Sequence, residues 1–439
     1  MAVHTSRRSV LGAGLGGAAA ALLSACGGAS TTGAGNGALS FLSTQFSPVE
    51  EKQRFKAILK DRVKGTSVAF TAVEAGDFAT TLTAQLKAKK LSVSLLGGLH
   101  GDLAPYADQL ADTDDLLGEL SGAGIPQRLT DIAAFGGSKP KYVPWMQTSY
   151  VLAVNKKALQ WLPKGADVQD LTYDQFLDWM TAGKRGAGRP IFGMPAGPNG
   201  LYHRFFQGFL LPSFTGGQVV PFRSPDAVQA WKYMKDLWSV SAPASTNYAY
   251  MQEPLARGEV LVAWDHLARL LGAPAKNPDD WQMVPAPRGP KGLGFMLVVA
   301  GLGILKGAPR QDDARKVIKA LCTPGAQGDV LKKNGFAPTV GGKMPSGLPA
   351  AIALGADAFS RQQDAKDAIT ALPPVGVGAK DGEISEAFKE CFTQICLQDK
   401  PIQPVLDSRA KKLNSLLSEV KAECWAPDEA VEGKTCQVA

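Results

Sequence analysis

Between Leu39 and Leu96, short apolar runs alternate with longer amphipathic ones, and this alternation constrains the chain more than any other feature. Leu39–Leu42 reads as a first strand. A helix follows from about Val49 to Lys64, with Phe55, Ile58, Leu59 and Val63 along one side, and Val68–Val73 reads as a second strand. Asp77 is placed to cap the next helix, which carries Leu82 and Leu86 and ends on Lys87, Lys89 and Lys90, where cations suit the helix dipole. Leu91–Leu96 completes the pattern as a third strand. A βαβαβ order predicts a parallel sheet with right-handed crossovers. Ligands on such sheets bind outside the carboxyl ends of the strands. That rule selects Ser43, Thr44 and Gln45, then Glu74 and Asp77, then Leu99 to Asp102. A length of 439 residues leaves room for a second body of similar size.

The link to that second body is the stretch Lys141–Leu159, KYVPWMQTSYVLAVNKKAL. Lys141–Trp145 starts a strand, and Tyr150–Val154 is a second run rich in β-branched residues. A helix signal leads from Lys157 to Trp161 before Pro163 closes it. Two nearly collinear strand pieces therefore meet near Trp145. Together with the LTYDQFLDWM that follows, this passage resembles the hinge crossing of bacterial extracellular solute-binding proteins, family 1, the carbohydrate-type receptors of ABC importers. Later segments resemble the same family: Arg223-Ser224-Pro225 before a helix Asp226–Trp238, Met251–Leu261 leading into a strand that ends near Trp264, Gly335–Pro338, and Pro373-Pro374.

The resemblance implies an α/β, two-lobed periplasmic-binding-protein-like fold of type II. Its ligand cleft lies between the lobes, beside a hinge of crossing strands. Lobe one is expected over 39–147 plus 284–334, lobe two over 148–283 plus 335–420, and a C-terminal tail over 421–439. Gly294–Leu305, GFMLVVAGLGIL, reads as one buried strand, too short to span a membrane.

Residues 1–26 read as a leader, with Arg7-Arg8 ahead of the apolar run Val10–Leu23. Leu23-Ser24-Ala25-Cys26 resembles a lipobox, which makes Cys26 the expected lipidation site. Ser6–Leu11 resembles a twin-arginine export signal with Val10 in place of the usual phenylalanine. Residues 27–38, GGASTTGAGNGA, form an expected flexible tether. The expected location is the outer face of the cytoplasmic membrane, with the importer's transmembrane subunits as partners and the receptor acting as a monomer.

Composition and motifs narrow the chemistry. A hydrophobic share of 45 % with 20 % charged residues is that of a soluble globular protein. The net charge of +7 is modest for this length and forms no dense basic block with interleaved aromatics, so nucleic acid is not an expected partner. No GxSxG, HExxH, Walker or EF-hand pattern occurs, and no cofactor, metal or catalytic residue is expected. His100 falls in an expected cleft loop, and Asp102 with Asp108 is the one carboxylate pair that a secreted hydrolase of cell-wall sugars would use. Tyr248 and Tyr250 are the residues a metal- or oxyanion-binding relative would use. Besides Cys26 there are five cysteines. Cys391 and Cys396 point to different faces of a helix, which leaves Cys424–Cys436, or one of these with Cys391, as the expected disulfide.

A sugar presents apolar C–H faces and a rim of hydroxyls, so its receptor needs flat aromatic platforms and fixed polar groups. Trp145, Tyr202, Phe205, Tyr250 and Trp264 are the candidate platforms. Gln45, Glu74, Asp77, Asp102 and Asp265 are the candidate polar partners, with Gly301 letting backbone approach the ligand.

Overall fold

A computed structural model of the chain describes residues 37–47, 49–341, 345–377 and 380–439. The expected leader, Cys26 and residues 27–36 of the tether lie outside the described residues. In chain order the strands are β1 (Leu39–Ser43), β2 (Val68–Ala72), β3 (Leu95–Leu99), β4 (Val143–Thr148), β5 (Tyr150–Asn155), β6 (Phe192–Gly193), β7 (Val262–His266), β8 (Trp281–Val284), β9 (Leu293–Met296), β10 (Val298–Gly303), β11 (Ala337–Pro338) and β12 (Ala368–Ala371).

Lobe one is built on a sheet of order β11-β4-β10-β3-β1-β2. β1 runs parallel to β2 and β3, as the alternation predicts, while β10 runs antiparallel to β3 and β4. Helix Val49–Arg62 buries Phe55, Ile58 and Leu59, and helix Ala75–Lys87 buries Phe78 and Leu82. The second helix begins two residues before Asp77. Glu74 sits at its N-cap position without a side-chain bond, and Asp77 lies in the first turn, where its charge suits the dipole rather than caps it. The third strand starts later than expected, because the Gln85 side chain accepts the N–H groups of Ser92 and Val93 ahead of it.

Lobe two holds a sheet of order β6-β7-β5-β8 and the parallel pair β12-β9. Helix Tyr173–Ala187 starts with a capping box in which Thr172 Oγ1 accepts from Gln175 N and Gln175 Oε1 accepts from Thr172 N. β4 and β5 are separated only by Ser149, so the first crossing lies there and Trp145 sits inside β4. The run Gly294–Leu305 is two strands, not one. β9 pairs with β12, and after Leu297 the chain enters β10 in the other sheet. β11 pairs with β4 in the sheet of lobe one. These pairings differ from boundaries at 283/284 and 334/335.

A Cys424–Cys436 disulfide closes a loop within the tail, and the tail is attached to lobe two by Asp428, whose carboxylate accepts from Gln218 N, Val219 N and Val220 N at 2.9 Å each. Cys322, Cys391 and Cys396 are free thiols. Among the described residues no helix is long and apolar enough to cross a membrane.

Candidate functional site

The carboxyl ends of β1 and β3 bring three of the expected polar residues together. Thr44 Oγ1 donates to Asp102 Oδ2 at 2.6 Å, and Leu99 N donates to the same oxygen at 2.9 Å. Gln45 Nε2 donates to Thr44 Oγ1 at 3.0 Å. Burial pushes the Asp102 carboxyl up, while the bonds from Thr44 and Leu99 pull it down. Glu74 and Asp77 lie beyond β2, exposed, and neither side chain forms a hydrogen bond among the described residues. They are not joined to this cluster.

Three expectations for lobe one change. Trp145 is 1 % exposed, with its ring 5.5 Å from Phe55 and 6.1 Å from Phe46, so it is a core residue and not an open platform. Gly301 makes room for the Tyr142 ring, since a Cβ there would lie 2.2 Å from Tyr142 Cδ2. That space belongs to packing, not to a ligand. His100 is buried in lobe one rather than held in a cleft loop. Its Nδ1 lies 2.9 Å from Tyr142 Oη, its ring stacks on Phe135, and burial lowers its pKa to about 3.

The facing wall in lobe two comes from the start of β5 and the end of β7. Their antiparallel register pairs Tyr150 with His266 and Leu152 with Trp264. The Trp264 ring is stacked on Tyr150 at 4.9 Å, with Phe205 and Phe209 edge-on at 5.1 and 5.3 Å. Trp264 is fully buried and Phe205 nearly so. The aromatic faces expected to meet a ligand thus meet each other. Tyr202 packs against Phe392 of helix Asp381–Phe392, with the Lys389 ammonium 5.9 Å from its ring centre. Of the five expected platforms only Tyr250 is exposed, at 48 %, and the Arg269 guanidinium lies over its ring at 4.4 Å. Asp265 Oδ2 accepts from Met251 N at 2.9 Å and Oδ1 from His266 N at 2.7 Å, so both oxygens serve the lobe's own backbone.

Charges gather where the two walls approach. Burial pushes the Tyr150 hydroxyl up to about 12, Arg204 and Arg269 pull it down, and Asp265 and Asp381 push it up. Arg204 Nη1 donates to Gln207 Oε1 at 3.0 Å, and Nη2 lies 3.5 Å from Asp381 Oδ2. The charges of Asp381 and Arg204 also act on Asp102, the first raising its pKa and the second lowering it. Arg269 also acts on Glu51 of lobe one, whose carboxyl is raised mainly by burial. Tyr150, Arg204, Arg269, Asp381 and Glu51 are therefore candidate site residues that sequence reasoning missed. Tyr150 was legible in principle, as the first residue after the crossing. Arg204 sits within the aromatic run Leu201–Leu211 and gave no such signal.

The geometry gives little to the alternative chemistries. The Asp102 carboxyl is held by Thr44 and Leu99, while Asp108 is exposed. His266 Nδ1 accepts from Ala268 N and so caps a helix. Tyr248 donates to Glu259 at 2.6 Å while Tyr250 lies under Arg269, so the two do not form a pair. Among the described residues no group of His, Cys, Asp and Glu is arranged to hold a metal. What the site offers is a mixed set of donors and acceptors from two bodies, suited to a polar ligand.

Comparison with known proteins agrees with this architecture. Among solved structures, the GacH receptor of Streptomyces glaucescens, solved unliganded and with acarbose, matches at a TM-score of 0.67 and 17 % identity, over 87 % of this chain and 99 % of that one. The sugar-binding protein MalE from Xanthomonas citri matches at 0.71 and 16 % identity, over 88 % and 98 %. Maltose-bound MalE3 of T. maritima matches at 0.69 and 20 % identity, over 87 % and 100 %. At these identities the likeness establishes the two-lobed fold. No curated protein matches the sequence. The family model described as bacterial extracellular solute-binding protein matches residues 47–328, well over half of the chain. On that match, and with the fold in agreement, the chain belongs to the bacterial extracellular solute-binding protein family.

Proposed function

We propose that this chain is the substrate-binding subunit of an ABC importer and that it captures a carbohydrate between its lobes. The observation that carries the reading is the set of polar and charged groups contributed by both bodies: Thr44, Gln45 and Asp102 from one, Tyr150, Arg204 and Asp381 from the other. Such a set suits a ring of hydroxyls, each of which donates once and accepts twice. A ligand that bonds to both walls favours the closed form by its differential affinity, and the closed form is the one that docks on the permease. No covalent step is required. Family membership supports a receptor, and several proteins of the same fold were solved with acarbose, maltose or α-D-tagatose, while another has a substrate preference for β-D-galactopyranose. In this reading the chain is exported, carries lipid on Cys26, stands on the outer face of the cytoplasmic membrane and works as a monomer.

A thermal-shift screen of mono-, di- and oligosaccharides tests the proposal. A sugar at about 100 times its Kd stabilises the native state by roughly 2.7 kcal/mol, which is a readable shift. The shift is expected to disappear in Arg204→Ala and in Asp102→Asn, one from each lobe. A library without a hit, or a hit indifferent to both substitutions, would count against carbohydrate capture at this site.

A further inference from the structure

The lobes are joined by three separate stretches of chain. The first is Ser149 between β4 and β5, the second is Leu297 between β9 and β10, and the third leads from β11 towards helix Ala350–Asp364. Connectivity alone does not oblige them to bend together. Two adjacent side chains on the helix after the third connection, Gln362 and Gln363, link it to the other two. Gln362 lies on helix Ala350–Asp364 and is fully buried. Its Oε1 accepts from Ala286 N at 2.9 Å, in the loop between β8 and β9. Its Nε2 donates to Tyr150 O at 3.1 Å and to Ser149 Oγ at 3.3 Å, at the first. Ser149 Oγ in turn donates to Met296 O at 2.7 Å, one residue before the second connection. The neighbouring Gln363 Nε2 donates to Gln147 Oε1 at 3.2 Å, and Gln147 Nε2 donates to Pro338 O at 2.8 Å, in β11.

We infer that Gln362 is a positioning residue for lobe closure: it ties the helix that follows the third connection to the first connection directly and to the second through Ser149. An amide suits this place because it presents an acceptor on one side and two donors on the other. Glutamate keeps the acceptor and loses the donors, and methionine fills the volume and keeps neither. A buried network of this kind fixes one geometry among several that packing alone would allow. The meaning of the hinge rests on the closure proposed above, but the network itself is testable without a ligand.

The test uses the whole chain with no sugar added. Gln362→Met and Gln362→Glu are compared with a control, Gln218→Met. Gln218 is equally buried, and its Nε2 donates to Leu372 O at 3.0 Å and Ala426 O at 2.9 Å, so it bonds to none of Ser149, Tyr150 and Ala286. Amide exchange is read at Ala286 and at the peptide spanning Ser149. Small-angle scattering reads the separation of the lobes. Gln362→Met is expected to speed exchange at Ala286 roughly tenfold, the size of one lost buried hydrogen bond, and to broaden the interlobe distance. Gln362→Glu keeps Ala286 protected and still broadens the distance. Gln218→Met lowers the melting temperature and leaves both hinge readouts at the wild-type values.

If Gln362→Met moves the scattering no further than the control does, Gln362 is a packing residue and the inference is overturned. Should Gln362→Met fail to fold, Ser149→Ala carries the same comparison, since it removes one donor and one acceptor from the network. A failed sugar screen would sink the proposed function and leave these ligand-free readouts standing.

Discussion

Asp265 is a carboxyl with no solvent to face: it is 0 % exposed, and both oxygens accept backbone N–H groups. Burial raises its pKa to about 7 against an ordinary 3.8, with Arg269 and the two hydrogen bonds pulling the other way. The folded carboxyl therefore holds its proton more tightly than the unfolded one. Stability from this group is complete below about pH 3.8 and is lost as pH rises through 7. Linkage makes the loss on the order of 4 kcal/mol across that window. Asp265→Asn removes the titration but also one acceptor, so it is expected to be less stable than wild type near pH 4 and to close most of that gap by pH 7.5. Denaturant unfolding of both proteins at several pH values checks this, and parallel curves would refute it. Asp265 also shows the limit of reading a site residue by residue. Sequence marks an acid after a strand that ends in tryptophan, but not that Met251 N and His266 N occupy its oxygens. Trp145 has the same history. Its type suited a platform, and Phe46 and Phe55, about a hundred residues earlier, cover it.

At the scale of elements, the parallel strands of lobe one were legible because period-2 and period-3.6 patterns alternate cleanly there. Gly294–Leu305 was not, because both halves are buried and an apolar run does not say which sheet it joins. The crossing at Leu297 falls where burial is unbroken on either side. The segment Phe206–Leu210 was also hidden: it forms one turn of π-helix, and such turns leave no periodic signature. That turn packs against β9. A Cβ on Gly208 would lie 2.4 Å from Met296 Cβ and 3.1 Å from its Cα. Two effects compete in Gly208→Ala. Helix propensity favours alanine by about 1 kcal/mol, whereas overpacking costs about 1–3 kcal/mol. Overpacking wins here because the contacted atoms belong to the backbone end of a strand residue and cannot rotate away. The variant is expected to lose about 1–2 kcal/mol in urea unfolding, and Met296, the acceptor of the Ser149 hydroxyl, moves with β9. An unchanged midpoint would mean that the turn yields freely.

For the whole molecule, the two-lobed plan could be read from the order of motifs, whereas the way the chain ends could be read only in part, from cysteine spacing. The tail crosses the outside of lobe two and is held by contacts that depend on one another. Leu372 N donates to Ala426 O, Ala439 N donates to Val220 O, Cys436 N donates to Ala422 O, and the Asp428 carboxylate collects three N–H groups from Gln218 to Val220. The disulfide closes a loop with a sequence separation of 12, which brings these anchors near one another before folding begins. Loop-closure entropy for a loop of this size is worth roughly 3 kcal/mol. An extracellular family supplies the oxidising surroundings in which such a bond persists. Reduction of the whole chain is therefore expected to cost roughly 3 kcal/mol and to reproduce the unfolding curve of the double variant Cys424→Ser, Cys436→Ser. The free thiols Cys322, Cys391 and Cys396 play no part, so reductant should leave the double variant where it was. Coincident curves for oxidised and reduced wild type would instead mean that Asp428 and the backbone anchors hold the tail without help. In that case Asp428→Ala, which strands three N–H groups, becomes the substitution that frees it.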